Sequence, residues 1–209
     1  MMSGLMLVFL FISIGFMLEV DADKEKMRDV AAKYRDTQAD INEALYTEFE
    51  DELKSWNATI TKDNRVVFRS PDVLFAVSSS KIEDKFKNIL QDFFPRFLKI
   101  LQSQKFADNV QDVRIEGYTS SEWAGATSPE EIYLKNMQLS QKRAYAVLLF
   151  CYTLNDKSVK VNRKWLEEKL RANGMAFSKT EEKVQTRSVE FKVNMKSEDK
   201  IYEILGVSK

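Results

Sequence analysis

The first charged residue of the chain is Glu19, and the stretch before it, MMSGLMLVFLFISIGFML, is apolar almost throughout. Apolarity on every side of a helix predicts a segment that is buried all round, in a membrane or a large core. Eighteen helical residues rise about 27 Å, close to the ~30 Å of a bilayer's hydrocarbon core. No Lys or Arg precedes Lys24, and FMLEVDADK is a poor cleavage site, so the basic lead-in and the small-x-small end of a signal peptide are both missing. The pattern favours an uncleaved transmembrane helix over residues 1–20. A cleaved signal and a buried helix of a soluble protein are the other readings.

From residue 23 the pattern changes to apolar positions three and four apart: Met27, Val30, Ala31, Tyr34, Ile41, Leu45, Phe49, Leu53 and Trp56. That spacing predicts an amphipathic helix, uninterrupted by Gly or Pro, forming a stalk over residues 21–56. Its apolar face can lie on the chain's own folded domain or pair with a second copy. A folded domain is expected over 57–196. ATITKDNRVVF carries a turn signal, Lys62-Asp63-Asn64, between two β-type runs, and Ser70-Pro71-Asp72 breaks the pattern. Residues 80–103 read as a helix with Ile82, Phe86, Ile89, Leu90, Phe93, Phe97 and Leu101 on one face, kinked or restarted at Pro95.

VQDVRIEGY alternates as a strand, and a polar loop is expected from Thr119 to about Lys135. Residues 137–153 and 162–173 read as helices, the second ended by Asn173-Gly174, and RSVEFKVNM as a strand with Val189, Phe191 and Val193 on one face. Residues 197–209 read as a short helix or tail. The order of elements predicts an α/β fold, an α+β sandwich with helices packed on a mixed β-sheet.

Composition narrows the chemistry. The 32 basic and 32 acidic residues balance, and all of them follow residue 18, so an apolar leader precedes a highly charged body. Nothing in that balance points to nucleic acid. There is no histidine, which removes Ser-His-Asp and Cys-His catalysis, histidine-based zinc sites and histidine pH switches. Cys151 is the only cysteine, so the chain forms no internal disulfide and no cysteine zinc cluster. No phosphate-binding glycine loop or nucleophile elbow is present. The chain reads as a protein that is not an enzyme, with no cofactor and no metal. Glu116 and Glu122 lie near a strand end without an evident acid–base partner.

VRIEGYTSSEW followed by NMQLSQKRAYAVLLF resembles the OmpA-like peptidoglycan-binding domain, with a resemblance covering about residues 57–195. That family carries G-[HY]-T-D at a strand end and N-x-x-L-S-x-x-R-A opening a helix. The matches here are Gly117, Tyr118 and Thr119, then Asn136, Leu139, Ser140, Arg143 and Ala144, with RSVEF from Arg187 near a third family mark. The resemblance implies binding of the diaminopimelate stem peptide of peptidoglycan. In the family the aspartate of T-D takes the ligand's ammonium and the arginine takes its carboxylate. Arg143 matches the arginine, whose fork suits a carboxylate. The aspartate is replaced by Ser120, which supplies no charge, and Glu122 is the nearest acid that can substitute. Thr119 and Asn136 are expected to orient the loop by side-chain to backbone bonds. Glu130 and Glu131 are further acidic candidates that also suit a solvated helix start. The resemblance predicts that Ser120→Asp strengthens binding.

A membrane helix, a stalk and such a domain together resemble the MotB family of stator subunits, and a related branch comprises the ZorB-type proteins of Zorya anti-phage systems. Met1-Met2-Ser3-Gly4-Leu5-Met6 overlays the MotB membrane motif D-[LFM]-M-[ST]-x-[LM]-M from its second position. The expectation from this overlay is an ion-carrying aspartate immediately before Met1. The resemblance implies a homodimer in the bacterial inner membrane, with its C-terminal domain in the periplasm, partnered by a multi-span membrane motor protein for ion transport. The alternative is a passive OmpA-like wall anchor that conducts no ions.

Overall fold

A computed structural model describes residues 2–69, 74–76, 78–126, 128–178 and 187–196; of residues 2–5 and 7 it describes the backbone. The expected break at 70–72 and the expected C-terminal helix at 197–209 lie outside the described residues. Among the described residues ten elements follow in chain order: α1 (Met2–Leu53), β1 (Ala58–Thr61), β2 (Arg65–Arg69), α2 (Asp84–Leu101), β3 (Val110–Gly117), α3 (Pro129–Thr153), α4 (Lys157–Val161), α5 (Arg163–Lys169), β4 (Leu170–Gly174) and β5 (Ser188–Met195). Residues 38–195 form one compact unit, and residues 2–37 belong to another.

In the N-terminal unit the helix exposes its apolar residues. From Met6 to Leu18 each large apolar side chain described is 46–74% exposed. Among the described residues no helix is long and apolar enough to cross a membrane. The expected span over 1–20 begins among residues whose side chains are not described.

In the unit of residues 38–195 the five strands form one sheet in the order β1-β2-β5-β3-β4. Only β3 and β4 run parallel, joined by a crossover through α3, α4 and α5. The hairpin β1–β2 turns through Lys62-Asp63-Asn64, with Asn64 at φ 58, a left-handed conformation that asparagine tolerates. The register puts Val66, Phe68, Val113, Ile115, Val189, Phe191 and Val193 on one face. On that face lies an aromatic cluster: Phe93 sits 5.1 Å from Phe49, 5.1 Å from Phe68, 5.0 Å from Phe97 and 5.0 Å from Phe191 between ring centroids. Tilted and edge-on ring pairs dominate, as ring quadrupoles favour.

Ile41, Leu45 and Phe49 have no exposed surface, so the C-terminal part of α1 buries its apolar stripe inside this unit. Arg96 of α2 holds it there, donating to Glu48 at 2.7 Å and Glu52 at 2.9 Å, with its guanidinium 4.9 Å over the Phe49 ring. Of the two fates open to the stripe from sequence, this part of the helix takes the packing on its own unit.

The opposite face of the sheet is charged. Glu116 and Glu190 are directly opposed on β3 and β5, 4% and 2% exposed. Two buried carboxylates in that position repel. Arg65 Nη1 bridges them, at 2.8 Å from Glu116 and 3.0 Å from Glu190, and Tyr118 Oη donates to Glu116 at 2.9 Å. Burial would depress the charge on Arg65, but the carboxylates of Asp63, Glu116 and Glu190 outweigh it and raise its pKa. Burial, then the Glu190 and Glu116 charges, push the Tyr118 hydroxyl well above its ordinary value.

Three sequence expectations change. Pro95 does not restart its helix: α2 is continuous from Asp84 to Leu101, pinned on both sides of the proline by buried Phe93, Phe94, Phe97 and Leu98. Residues 170–173 are not helical. Leu170–Gly174 is an edge strand paired in register with Val113–Gly117, a tertiary pairing that overrides the weak β preference of Arg, Ala, Asn and Gly. The loop expected to Lys135 ends sooner, because α3 starts at Pro129. Ser128 caps it, accepting from Glu131 N at 3.2 Å, with proline at the first helical position where its missing N–H costs nothing.

Candidate functional site

The site forms where the end of β3 meets α3. Gly117 and Gly174 are register partners at the ends of β3 and β4. Both lie against the α3 backbone: a Cβ on Gly117 would fall 2.5 Å from Ser140 O, and one on Gly174 would fall 2.6 Å from Gln141 N. Only glycine allows so close an approach. Side-chain bonds then fasten the helix. Ser140 Oγ donates to Met137 O at 2.9 Å and accepts from Ala176 N at 3.0 Å. Gln141 donates to Ala172 O at 3.1 Å and accepts from Gly174 N at 2.6 Å. This fastening sets the height of α3 on the sheet, and hence the positions of Asn136, Leu139 and Arg143.

A cavity of about 250 Å³ opens beside this junction. Ser78, Thr119, Ser120, Glu122, Trp123, Ala124, Asn136, Leu139, Arg143 and Arg187 line it. All six residues singled out from the sequence, Thr119, Ser120, Glu122, Asn136, Leu139 and Arg143, are among them. Glu116 is not; it belongs to the ion cluster with Arg65. Glu130 and Glu131 are not in the lining either. Glu130 is fully exposed at the helix start, where a backbone N–H and then Ser128 hold its carboxyl below the usual range. Glu131 pairs with Lys135 at 2.6 Å.

Arg143 is 4% exposed. Its Nε donates to Ser79 O at 2.9 Å, its Nη2 donates to Ala76 O at 3.4 Å, and the guanidinium carbon stands 4.9 Å over the Phe75 ring. The carbonyls come from a short turn closed by Ser79 N donating to Ala76 O, with Ser78 in the left-handed region at φ 56. Among the described residues no carboxylate pairs with Arg143. Burial and then the like charge of Arg187 push its pKa down to about 10, so the group is still charged at neutral pH. A buried charge is costly until it is paired. Nη1 and one hydrogen of Nη2 remain for a ligand, the two-donor edge that a carboxylate accepts side by side.

Thr119 is 1% exposed, and its backbone N–H donates to Ala176 O at 2.8 Å. Its Oγ1 has no hydrogen-bond partner among the described residues. Asn136 Nδ2 donates to Ile132 O one turn back in its own helix. Among the described residues neither side chain bonds to the loop backbone. Ser120 is half-buried and Glu122 exposed at the rim. Sequence reasoning missed Trp123, held 5.9 Å from Lys135 Nζ, and Arg187. Arg187 was legible only as the first letter of a strand motif, with no signal that it would face this cavity. Among the described residues no group of three or more His, Cys, Asp or Glu side chains could hold a metal ion.

No family model matches the chain. In three dimensions it is similar to the OmpA-like domain of FopA1 from Francisella tularensis subsp. tularensis SCHU S4, at 24% identity and TM-score 0.42, covering 66% of this chain and 80% of that one. It is also similar to the cell wall anchor of the T6SS from Pseudomonas aeruginosa, at 20% identity and TM-score 0.46, covering 73% and 97%. A third likeness is to the periplasmic domain of Helicobacter pylori MotB, at 18% identity and TM-score 0.43, covering 71% and 96%. In sequence it is similar to the Zorya protein ZorB of Escherichia coli (strain ATCC 8739), with 42% identity over 213 residues that cover 98% of this chain and 89% of the relative. An identity of that size over nearly the whole of both chains shows that the protein belongs to the ZorB family.

Proposed function

We propose that this protein is a wall-anchored, stator-type subunit of an ion-driven membrane complex of the Zorya kind, and that it holds peptidoglycan through the cavity around Arg143. It is not an enzyme. The observation that carries the wall-binding reading is a guanidinium 4% exposed, bonded to two carbonyls, paired with no carboxylate among the described residues and bordering a cavity. A stem peptide ending in a free carboxylate supplies the missing anion. Thr119, Ser120, Glu122, Asn136 and Leu139 form the walls that orient it.

The membrane part of the reading rests on the N-terminal helix. The large apolar side chains described from Met6 to Leu18 are 46–74% exposed, far more apolar surface than a soluble helix leaves in water. In this reading the helix lies in the inner membrane, the unit of residues 38–195 lies in the periplasm, and two copies assemble with a multi-span partner. The wall grip keeps the assembly from turning with that partner.

The test is a pull-down of the purified full chain by peptidoglycan sacculi. Arg143→Ala removes a buried charge-assisted contact worth about 2 kcal/mol or more, so retention falls roughly thirty-fold. Equal retention of the wild type and a folded Arg143→Ala variant refutes the assignment. Copurification of a multi-span membrane protein tests the stator part; its absence from a native membrane extract counts against that part alone.

A further inference from the structure

We infer that Arg187 is a second anion-holding residue of the cavity, so that the ligand end it accepts is a free carboxylate clasped between Arg143 and Arg187, with no ammonium needed for recognition. This inference rests on the wall-binding reading above and specifies what that site selects.

The charges of the lining carry the argument. Two guanidiniums, Arg143 and Arg187, face one carboxylate, Glu122, which sits exposed at the rim. An exposed charge is screened by water, while the buried Arg143 is not. Among the described residues neither arginine has an ion pair. A ligand ammonium entering this lining meets two cations and finds only a screened acid. A ligand carboxylate meets the opposite arrangement. Ser120 stands at the loop position where an acid would have balanced the site, and it is neutral.

The second observation is Thr119 Oγ1. It is buried, lines the same cavity and has no hydrogen-bond partner among the described residues. An unpaired buried hydroxyl costs free energy until a ligand satisfies it. A carboxylate has about four lone-pair sites, enough for the Arg143 edge, one Arg187 donor and the threonine hydroxyl together. The two arginines come from different elements: α3 carries Arg143, and Arg187 immediately precedes β5. Ligand binding therefore relieves the repulsion between them as well as the orphaned hydroxyl.

The experiment titrates the full chain in detergent with three synthetic tripeptides, L-Ala-γ-D-Glu-diaminopimelate and its two derivatives, followed by tryptophan emission because Trp123 lines the cavity. One derivative has the side-chain amine acetylated, which removes the ammonium. The other has the side-chain carboxylate amidated. The acetylated peptide should bind at least as tightly as the parent, and the amidated one at least tenfold more weakly. Arg187→Gln should weaken the parent and the acetylated peptide roughly tenfold and leave the amidated one unchanged. Arg187→Lys, which keeps the charge, should recover most of the loss. Ser120→Asp should weaken the acetylated peptide, the reverse of the family-based expectation.

If acetylation abolishes binding while Arg187→Gln is silent, the ammonium is read and the inference is overturned. If sacculi retain the wild type and Arg187→Gln equally, the inference falls and wall binding stands. If the folded wild type binds neither sacculi nor any peptide, both fall.

Discussion

Replacing Gly117 by alanine adds one methyl group where the end of β3 lies against the α3 backbone. The added Cβ would stand 2.5 Å from Ser140 O and 3.3 Å from Ala144 N. Carbon–oxygen contacts begin near 3.3 Å, so the junction must open by about 0.8 Å. The neighbour is backbone carbonyl in a helix stapled by Ser140 and Gln141, so it cannot swing aside. Overpacking of this kind costs about 1–3 kcal/mol, and the rigid neighbour puts Gly117 at the upper end. Alanine's lower unfolded-state entropy returns about 0.4–1 kcal/mol. The net is a destabilisation of about 2 kcal/mol, which for a unit of this size lowers the melting temperature by about 4–8 °C.

Two readouts check the effect: thermal unfolding by circular dichroism, and thiol labelling of Cys151. That cysteine is the sole thiol of the chain, is 0% exposed on α3, and burial pushes its pKa well up. Labelling reports the helix lifting from the sheet, and should speed up in Gly117→Ala. Sacculus binding should weaken too, because Arg143 lies on α3 one turn beyond Ser140. Gly15→Ala, with nothing within 4 Å of its added Cβ, is the control and should leave the unit of residues 38–195 unchanged. A melting temperature within about 1 °C of wild type, with unchanged Cys151 labelling, refutes the close-packing account.

Arg65→Met removes the cation that bridges two opposed buried carboxylates, Glu116 and Glu190; the expected loss is about 3 kcal/mol in urea unfolding, partly restored by adding Glu190→Gln. Tyr118 sets an alkaline limit. Its folded pKa is raised above the ordinary 10.0 by burial and the Glu190 and Glu116 carboxylates. Its contribution is therefore complete below pH 10 and declines as pH rises above it, because the unfolded chain releases the proton first. Between pH 10 and 11 the wild type should lose up to about 1.4 kcal/mol more stability than Tyr118→Phe, and parallel urea midpoints would contradict this. Ser128→Ala removes the cap of α3 and should cost about 1 kcal/mol, read from the same urea curves.

Local pattern alone determined much of this protein. The apolar run before Glu19, the 3.6-residue stripes of α1 and α2, and the alternation in β3 and β5 were readable because each face's surroundings repeat with the element's own period. The six residues that line the cavity were named through the family resemblance carried by Gly117-Tyr118-Thr119 and Asn136 to Ala144, not through periodicity. Three things were decided only in three dimensions. Leu170–Gly174 became a strand because Val113–Gly117 offered an edge, a partner more than fifty residues away in sequence. Arg65 and Glu116 gained their roles only when β2, β5 and β3 came side by side. Arg187 joined Arg143 only when the chain turned into β5. In each case the deciding energy belongs to a contact between distant segments, and no window along the chain contains both halves of it.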